Sequence, residues 1–245
     1  MSLDNSAINQ LARFDTPTVA NAMDRLGVRP ATTGFASAEL RCLFPDLQPV
    51  AGYAVACLED TTTPLQGPGR GLEDLYRAIE RSPKPVVVVC QDIGLDRLRS
   101  CHLGDVMATV MQRLGAVAFV TDGGVRDLNG IRQNARGFQV FATGAVPSEG
   151  MPNLVAVQTP VSIFGLQVEP GALLHGDING LISVPLDAIS EIALDSQRVA
   201  DYSRDRSLFL QSSAFSLQGY LAWHPSEDVR SDSPRRSSDE RSAAT

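Results

Sequence analysis

Leu103-Gly-Asp-Val-Met-Ala-Thr-Val-Met-Gln-Arg-Leu-Gly-Ala-Val-Ala-Phe-Val-Thr-Asp-Gly-Gly-Val-Arg-Asp-Leu128 passes through a helix, a strand and a glycine loop in one short span of chain. Asp105 to Leu114 reads as a helix closed by Gly115. Ala116 to Thr121 is a short apolar run, the signature of a strand buried on both faces. Upstream, Leu72, Leu75, Ala78 and Ile79 share one side of a helix over 72–81, and Val86 to Cys90 is an apolar, β-branched strand. Downstream, residues 127–135 suit a short helix and Phe138 to Ala142 another strand. This β-α-β-α-β rhythm predicts a parallel or mixed sheet with helical cover.

The flanks are simpler. Thr16 to Gly27 predicts a helix capped by Thr16, with Pro17 in its first turn, Gly27 at its stop and Val19, Met23 and Leu26 on one stripe. Gly52 to Cys57 reads as a strand, and 28–48 and 60–71 as loop. Beyond residue 150, short strands at Asn153–Gln158, Val161–Gly165 and Leu181–Val184, split by prolines, predict an antiparallel meander. Pro185 opens a long helix running to about Ser203, with Glu191, Asp195 and Arg198 on a solvated face. A single domain over 1–225 is expected, followed by a disordered polar tail over 226–245.

With 245 residues, 43% of them hydrophobic, the chain is long enough to bury a core without disulfides or structural metal. Its net charge of −7 and lack of a basic cluster argue against a nucleic-acid partner, and no apolar run is long enough for a membrane helix. The start has no basic-then-apolar leader pattern, so a cytoplasmic location is expected. Cys42, Cys57, Cys90 and Cys101 form no CxxC pair, and the histidines are His102, His175 and His224. The cysteines read as buried thiols of a reducing compartment. Any metal would be held mostly by oxygen, which favours Mg²⁺ or Mn²⁺ over structural zinc.

Chemistry concentrates on the opening stretch. Gly104 and Asp105 start a helix, where the amides of Val106 and Met107 can face an anion. Gly123 and Gly124 clear the carboxyl end of a strand. On that loop Arg126 can clamp a carboxylate in bidentate fashion and Asp127 can hold a hard divalent cation. Taken singly, each residue also suits an ordinary surface pair or first-turn acid; together they read as a site. His102 reads as packed or solvent-facing, His175, Asp177 and Asn179 as turn residues, and Asp92 and Asp96 as surface acids.

The stretch resembles the RraA-like family, which includes 4-hydroxy-4-methyl-2-oxoglutarate / 4-carboxy-4-hydroxy-2-oxoadipate aldolases and regulators of ribonuclease activity A. The family's Gly-Asp and later Arg-Asp are matched by Gly104-Asp105 and Arg126-Asp127. Thr16 to Gly27 is similar to its N-terminal helix, and Val168-Glu-Pro-Gly171 with Gly176 to Pro185 to its hairpin, so the resemblance runs from residue 10 to about 200. It implies an α/β, layered β/β/α swivelling-domain-like fold with N-terminal helices and a long C-terminal helix, assembled as a homotrimer or homohexamer.

The resemblance further implies a divalent-metal-dependent lyase acting on pyruvate-derived oxo acids through a pyruvate enolate, by retro-aldol cleavage or oxaloacetate decarboxylation. Asp127 would be the metal ligand and Arg126 the catalytic group on the ketone and carboxylate oxygens of pyruvate. Gly104 and the amides of Val106 and Met107 would receive the carboxylate, and Asp105 would serve proton relay. Two positions depart from the pattern: Asn21 replaces an Asp, and Gly130 stands where aldolases carry a second acid. Gly130→Glu is therefore expected to raise aldol cleavage more than decarboxylation, provided the loop tolerates the side chain. The alternative reading is a non-catalytic regulator of an RNA-degrading enzyme; such regulators often lack the Arg-Asp pair kept here. A Schiff-base mechanism is disfavoured, since the one lysine, Lys84, sits between two prolines away from the motif.

Overall fold

A computed structural model describes residues 5–65 and 71–222. The polar tail expected over 226–245 and His224 lie outside the described residues. Helices α1 (Asn5–Leu11) and α2 (Thr16–Leu26) precede strands β1 (Arg41–Cys42) and β2 (Val50–Asp60). Then follow α3 (Glu73–Arg81), β3 (Val86–Asp92), α4 (Asp105–Arg113), β4 (Ala116–Thr121), β5 (Gly124–Val125), α5 (Leu128–Asn134), β6 (Gln139–Ala142) and β7 (Gly144–Ala145). The second half holds β8 (Asn153–Val157), β9 (Val161–Ile163), β10 (Leu166–Val168), β11 (Leu173–Asp177), β12 (Gly180–Val184), α6 (Ile189–Gln211) and α7 (Leu217–Ala222).

The main sheet runs β1-β6-β4-β3-β2-β11-β12. Its centre, β2, β3, β4 and β6, is parallel, as the βα rhythm requires. β2 is long enough to serve two antiparallel neighbours on one edge: Val50 to Tyr53 pair with β11, and Cys57 to Asp60 with β8.

Strand periodicity then divides the apolar residues between two layers. Val86, Val88 and Cys90 of β3 face a core closed by Leu75 and Ile79 of α3, Met111 of α4 and Ile131 of α5. Val87 and Val89 face the opposite core, closed by Val161, Ile163, Leu166 and Val168 of the β9–β10 hairpin. Helix, sheet and hairpin thus stack as the expected β/β/α layers. A third core packs α1, α2 and α6 against β11 and β12 through Leu11, Val19, Met23, Leu173, Ile182 and Ile192.

Four local readings are corrected. Asp15, not Thr16, caps α2, its carboxylate accepting from the Thr18 amide at 2.9 Å. His175 is a buried strand residue of β11, with Nδ1 at 3.1 Å from Thr16 Oγ1 and Nε2 at 3.1 Å from the Leu11 carbonyl. Burial pushes its pKa down. Asp177 does serve the β11–β12 turn by accepting from the Asn179 amide, but it also accepts from the Thr16 amide at 2.9 Å, joining sheet to helix. Asp195 is buried beneath Arg25, at 2.9 Å, rather than solvated, and α6 extends to Gln211. No helix among the described residues is long and apolar enough to cross a membrane.

Candidate active site

Two segments at the carboxyl end of the parallel strands run side by side. The Gly124 amide donates to the Ser100 carbonyl at 3.1 Å and the His102 amide to the Gly124 carbonyl at 3.0 Å. The Arg126 amide donates to the Leu103 carbonyl at 2.9 Å. This pairing carries the start of α4 up to the Arg-Asp pair. A Cβ on Gly104 would lie 3.1 Å from Asp127 Oδ2 and 3.4 Å from Arg126 Nε, so a larger residue there would crowd both.

The predicted residues therefore share one place. Asp105, Asp127, Leu128, Asn129 and Gly130 line an open depression of about 550 Å³. Asp127 caps α5 with φ 58° and ψ 37°, a left-handed conformation uncommon outside glycine and most accessible to Asn and Asp. Its side chain stays 45% exposed and reaches Arg126 Nε at 3.3 Å. The other side of the guanidinium is engaged by Glu149, whose Oε2 accepts from Nη2 at 2.7 Å. Glu149 was not singled out by sequence: an acid in a Ser-Glu-Gly turn carries no local signal.

At the helix start the picture is more specific than the sequence suggests. Asp105 Oδ1 accepts from the Val106 amide at 2.9 Å, so that amide is already partnered, while among the described residues the Met107 amide takes no hydrogen-bond partner. Asp105 Oδ2 accepts from Asn134 Nδ2 at 3.0 Å, which fixes the carboxylate between α4 and α5.

At Gly130 the structure speaks against the condition on which the expected gain from Gly130→Glu rests, room for a side chain. A Cβ there would lie 2.9 Å from Asp105 Cβ and from Asp105 Oδ2. The position is filled by Asp105 itself, and Gly130→Glu would push out the carboxylate it was meant to assist. Gly130→Ala should already cost about 1–3 kcal/mol by overpacking, read as a lower urea midpoint, and should lower turnover rather than raise it.

An oxygen donor set faces the depression, with no imidazole or thiol among its lining residues. A hard cation such as Mg²⁺, which keeps several waters and takes one or two carboxylates, fits that chemistry.

Residues 16–183 match the family model of RraA-like proteins, described as Aldolase/RraA. The chain belongs to the RraA-like family. Among RraA-like relatives, a candidate 4-hydroxy-4-methyl-2-oxoglutarate aldolase of Halalkalibacterium halodurans is 26% identical over 161 residues, 64% of this chain and 74% of that one. Protein DlpA of Legionella pneumophila is 24% identical over 76% of this chain, which spans only 28% of DlpA. The crystal structure of Streptomyces coelicolor RraAS2, described as an unusual member of the RNase ES inhibitor RraA family, superposes with a TM-score of 0.62 at 27% identity, covering 83% of this chain and 98% of that one.

Beneath the RraA-like site lies a buried charged cluster. His102 Nδ1 is 2.9 Å from Glu59 Oε2 and its Nε2 is 2.8 Å from Asp92 Oδ2. All three residues are buried, so Asp92 is not the surface acid its loop position suggested, whereas Asp96 is exposed. The Asp92 amide donates to Asp122 Oδ1 at 2.7 Å, and Arg97 Nη1 is 3.8 Å from Asp122 Oδ2. Burial alone would lower the His102 pKa, but the Asp92 and Glu59 carboxylates outweigh it and raise it to about 9. Burial raises that of Asp122.

Glu59, Cys90 and His102 also bring ligand atoms within 4.8 Å of one another. Both ring nitrogens are within hydrogen-bond reach of carboxylates and the Cys90 thiol donates to Glu59 at 3.6 Å, so the group is a closed hydrogen-bonded cluster as it stands. Cys57, Cys90 and Cys101 are buried, Cys42 is partly so, and all four are free thiols.

Proposed function

We propose that this RraA-like chain is a divalent-metal-dependent lyase that releases pyruvate from oxo acids, by oxaloacetate decarboxylation, by retro-aldol cleavage, or by both. The observation that carries the reading is the closeness of Gly104 to Arg126 and Asp127 beside an open depression that Asp105 and Asp127 line. Asp127 would hold Mg²⁺ or Mn²⁺, which supplies a Lewis-acid positive charge at the substrate's ketone oxygen. Arg126 would bind that oxygen and the neighbouring carboxylate, taking the place of its contact with Glu149. The Met107 amide would add a donor to the carboxylate. As the C–C bond breaks, its electron pair becomes the enolate C=C bond and the carbonyl π pair moves onto the former ketone oxygen, which Arg126 would face; the enolate carbon then takes a proton, from Asp105 in the retro-aldol reaction or from water in decarboxylation, to give pyruvate. In the retro-aldol reaction the hydroxyl proton passes toward Asp105 Oδ2, whose orientation Asn134 sets. Decarboxylation needs no such proton removal.

The test is pyruvate release from oxaloacetate and from 4-hydroxy-4-methyl-2-oxoglutarate, coupled to lactate dehydrogenase, with Mg²⁺ and with EDTA. Turnover should vanish in excess chelator and return with Mg²⁺ or Mn²⁺. Full turnover in EDTA would refute the metal assignment. If neither substrate is cleaved, the likeness to RraAS2 favours the second reading, a non-catalytic inhibitor of an RNA-degrading enzyme.

A homotrimer or homohexamer belongs to the same proposal. Leu95 and Leu98, on the loop after β3, are 78% and 71% exposed, and Ile93 and Met151 are also exposed. Such side chains at the strand ends suit burial against a second copy. Light scattering at micromolar protein should give a multiple of three times 26.2 kDa; the monomer mass would refute it.

A further inference from the structure

We propose that His102 is a positioning residue of this site: clamped between Glu59 at the end of β2 and Asp92 at the end of β3, it fixes residues 100–104 and thereby the spacing of Gly104–Asp105 from Arg126–Asp127. The inference rests on the proposed site for its catalytic consequence only. Three observations carry it. The imidazole is 1% exposed and has a carboxylate on each ring nitrogen, so it is fixed in position and tilt. Its own backbone amide donates to Gly124, and its neighbours' carbonyls receive the amides of Gly124 and Arg126, so the main chain it anchors is the one that sets the Arg-Asp loop. Finally, a Cβ on Gly123 would lie 2.6 Å from His102 Cδ2, so the loop packs directly on the ring.

The charge state supports the same role. The groups around the ring are Glu59 and Asp60 from β2, Cys90 and Asp92 from β3, Asp122 after β4, and Arg97 between β3 and α4. Carboxylates outnumber cations there, and a doubly protonated imidazole can donate to Glu59 and Asp92 at once. A neutral ring can donate to only one of them and leaves the other facing a lone pair.

The experiment compares wild type, His102→Gln, Glu59→Ala and Asp92→Asn by amide hydrogen exchange, oxaloacetate kinetics and metal analysis. In His102→Gln, exchange over 123–127 should quicken by about tenfold or more beyond the rise that α6 shows from the loss of global stability. Its kcat should fall by roughly 10²-fold with KM little altered, since a misplaced guanidinium loses the transition state before the ground state. Glu59→Ala removes one clamp but keeps the ring, and gives the same exchange pattern should His102→Gln not fold. Asp92→Asn is the rescue: a neutral ring can donate to Glu59 and accept from the amide, so exchange over 123–127 stays slow.

Unchanged exchange over 123–127 in both clamp variants overturns the proposal. So does a rise over 123–127 no greater than the rise over α6, which marks general destabilisation alone. A stoichiometric metal in the purified protein that His102→Gln loses also overturns it, because the ring nitrogens would then serve an ion. If wild type cleaves no oxo acid, the proposed function fails while the exchange comparison still decides the positioning role.

Discussion

Asp127→Ala should abolish pyruvate release from oxaloacetate, and Arg126→Lys should lower it by roughly 10²- to 10³-fold, the range seen when one preorganised donor to a developing oxyanion is removed. Both follow from the geometry at the start of α5. Asp127 is the carboxylate at the mouth of the depression that stays half exposed and within 3.3 Å of Arg126. Arg126 already binds one carboxylate, that of Glu149, and a substrate carboxylate must take over the same fork. An ammonium is a point charge and cannot offer two parallel N–H groups to the ketone and carboxylate oxygens. Coupled pyruvate assays on purified variants with native circular dichroism check both. Retention of wild-type rate in Arg126→Lys would mean that the chemistry takes place elsewhere on the molecule.

His102→Gln should cost about 3–5 kcal/mol of folding stability near neutral pH, the penalty for breaking a buried ion pair and leaving its partners uncompensated. The wild type should also lose stability in alkali. His102 has a folded pKa raised to about 9, above its ordinary 6.5. Protonation therefore favours the folded state: the contribution is present in full below pH 6.5 and is lost as pH rises through about 9. A shift of this size corresponds to about 3 kcal/mol. Urea midpoints from pH 6 to 10 should fall for wild type, and the difference between wild type and His102→Gln should shrink along that series. A constant difference would show that the ring does not titrate in this window.

The sequence exposed the parallel sheet with its helical cover because its signals are local, whereas the layering came from the family resemblance. The apolar run Val86 to Cys90 and the capped helix Asp105 to Arg113 announce themselves within a few residues, and the parallel pairing of β2, β3, β4 and β6 follows from their alternation. The proximity of Gly104, Asp105, Arg126 and Asp127 was legible for the same reason, since one helix and two short strands separate them. Strand β11 was not legible, because Leu-Leu-His-Gly-Asp looks like a turn until Thr16 and Leu11 arrive from elsewhere in the chain to satisfy His175 and Asp177. The Glu59–His102–Asp92 cluster was hidden more deeply. Glu59 and Asp92 become neighbours only through the register of β2 on β3, in which they are paired residues. The lack of room at Gly130 was hidden too, since spacing alone cannot show that Asp105 occupies the volume above it.

The left-handed backbone at Asp127 has an evolutionary corollary. A β-branched or bulky side chain at that φ is strained, while Asn and Gly fit the conformation well. Descendants that lose the carboxylate are therefore channelled toward residues that leave the loop intact. Asp127→Asn is one such step, and it discards the charge while sparing the architecture. If Asp127 holds the metal as proposed, a lineage on this scaffold can thus lose that ligand in a single substitution, without first passing through a misfolded ancestor.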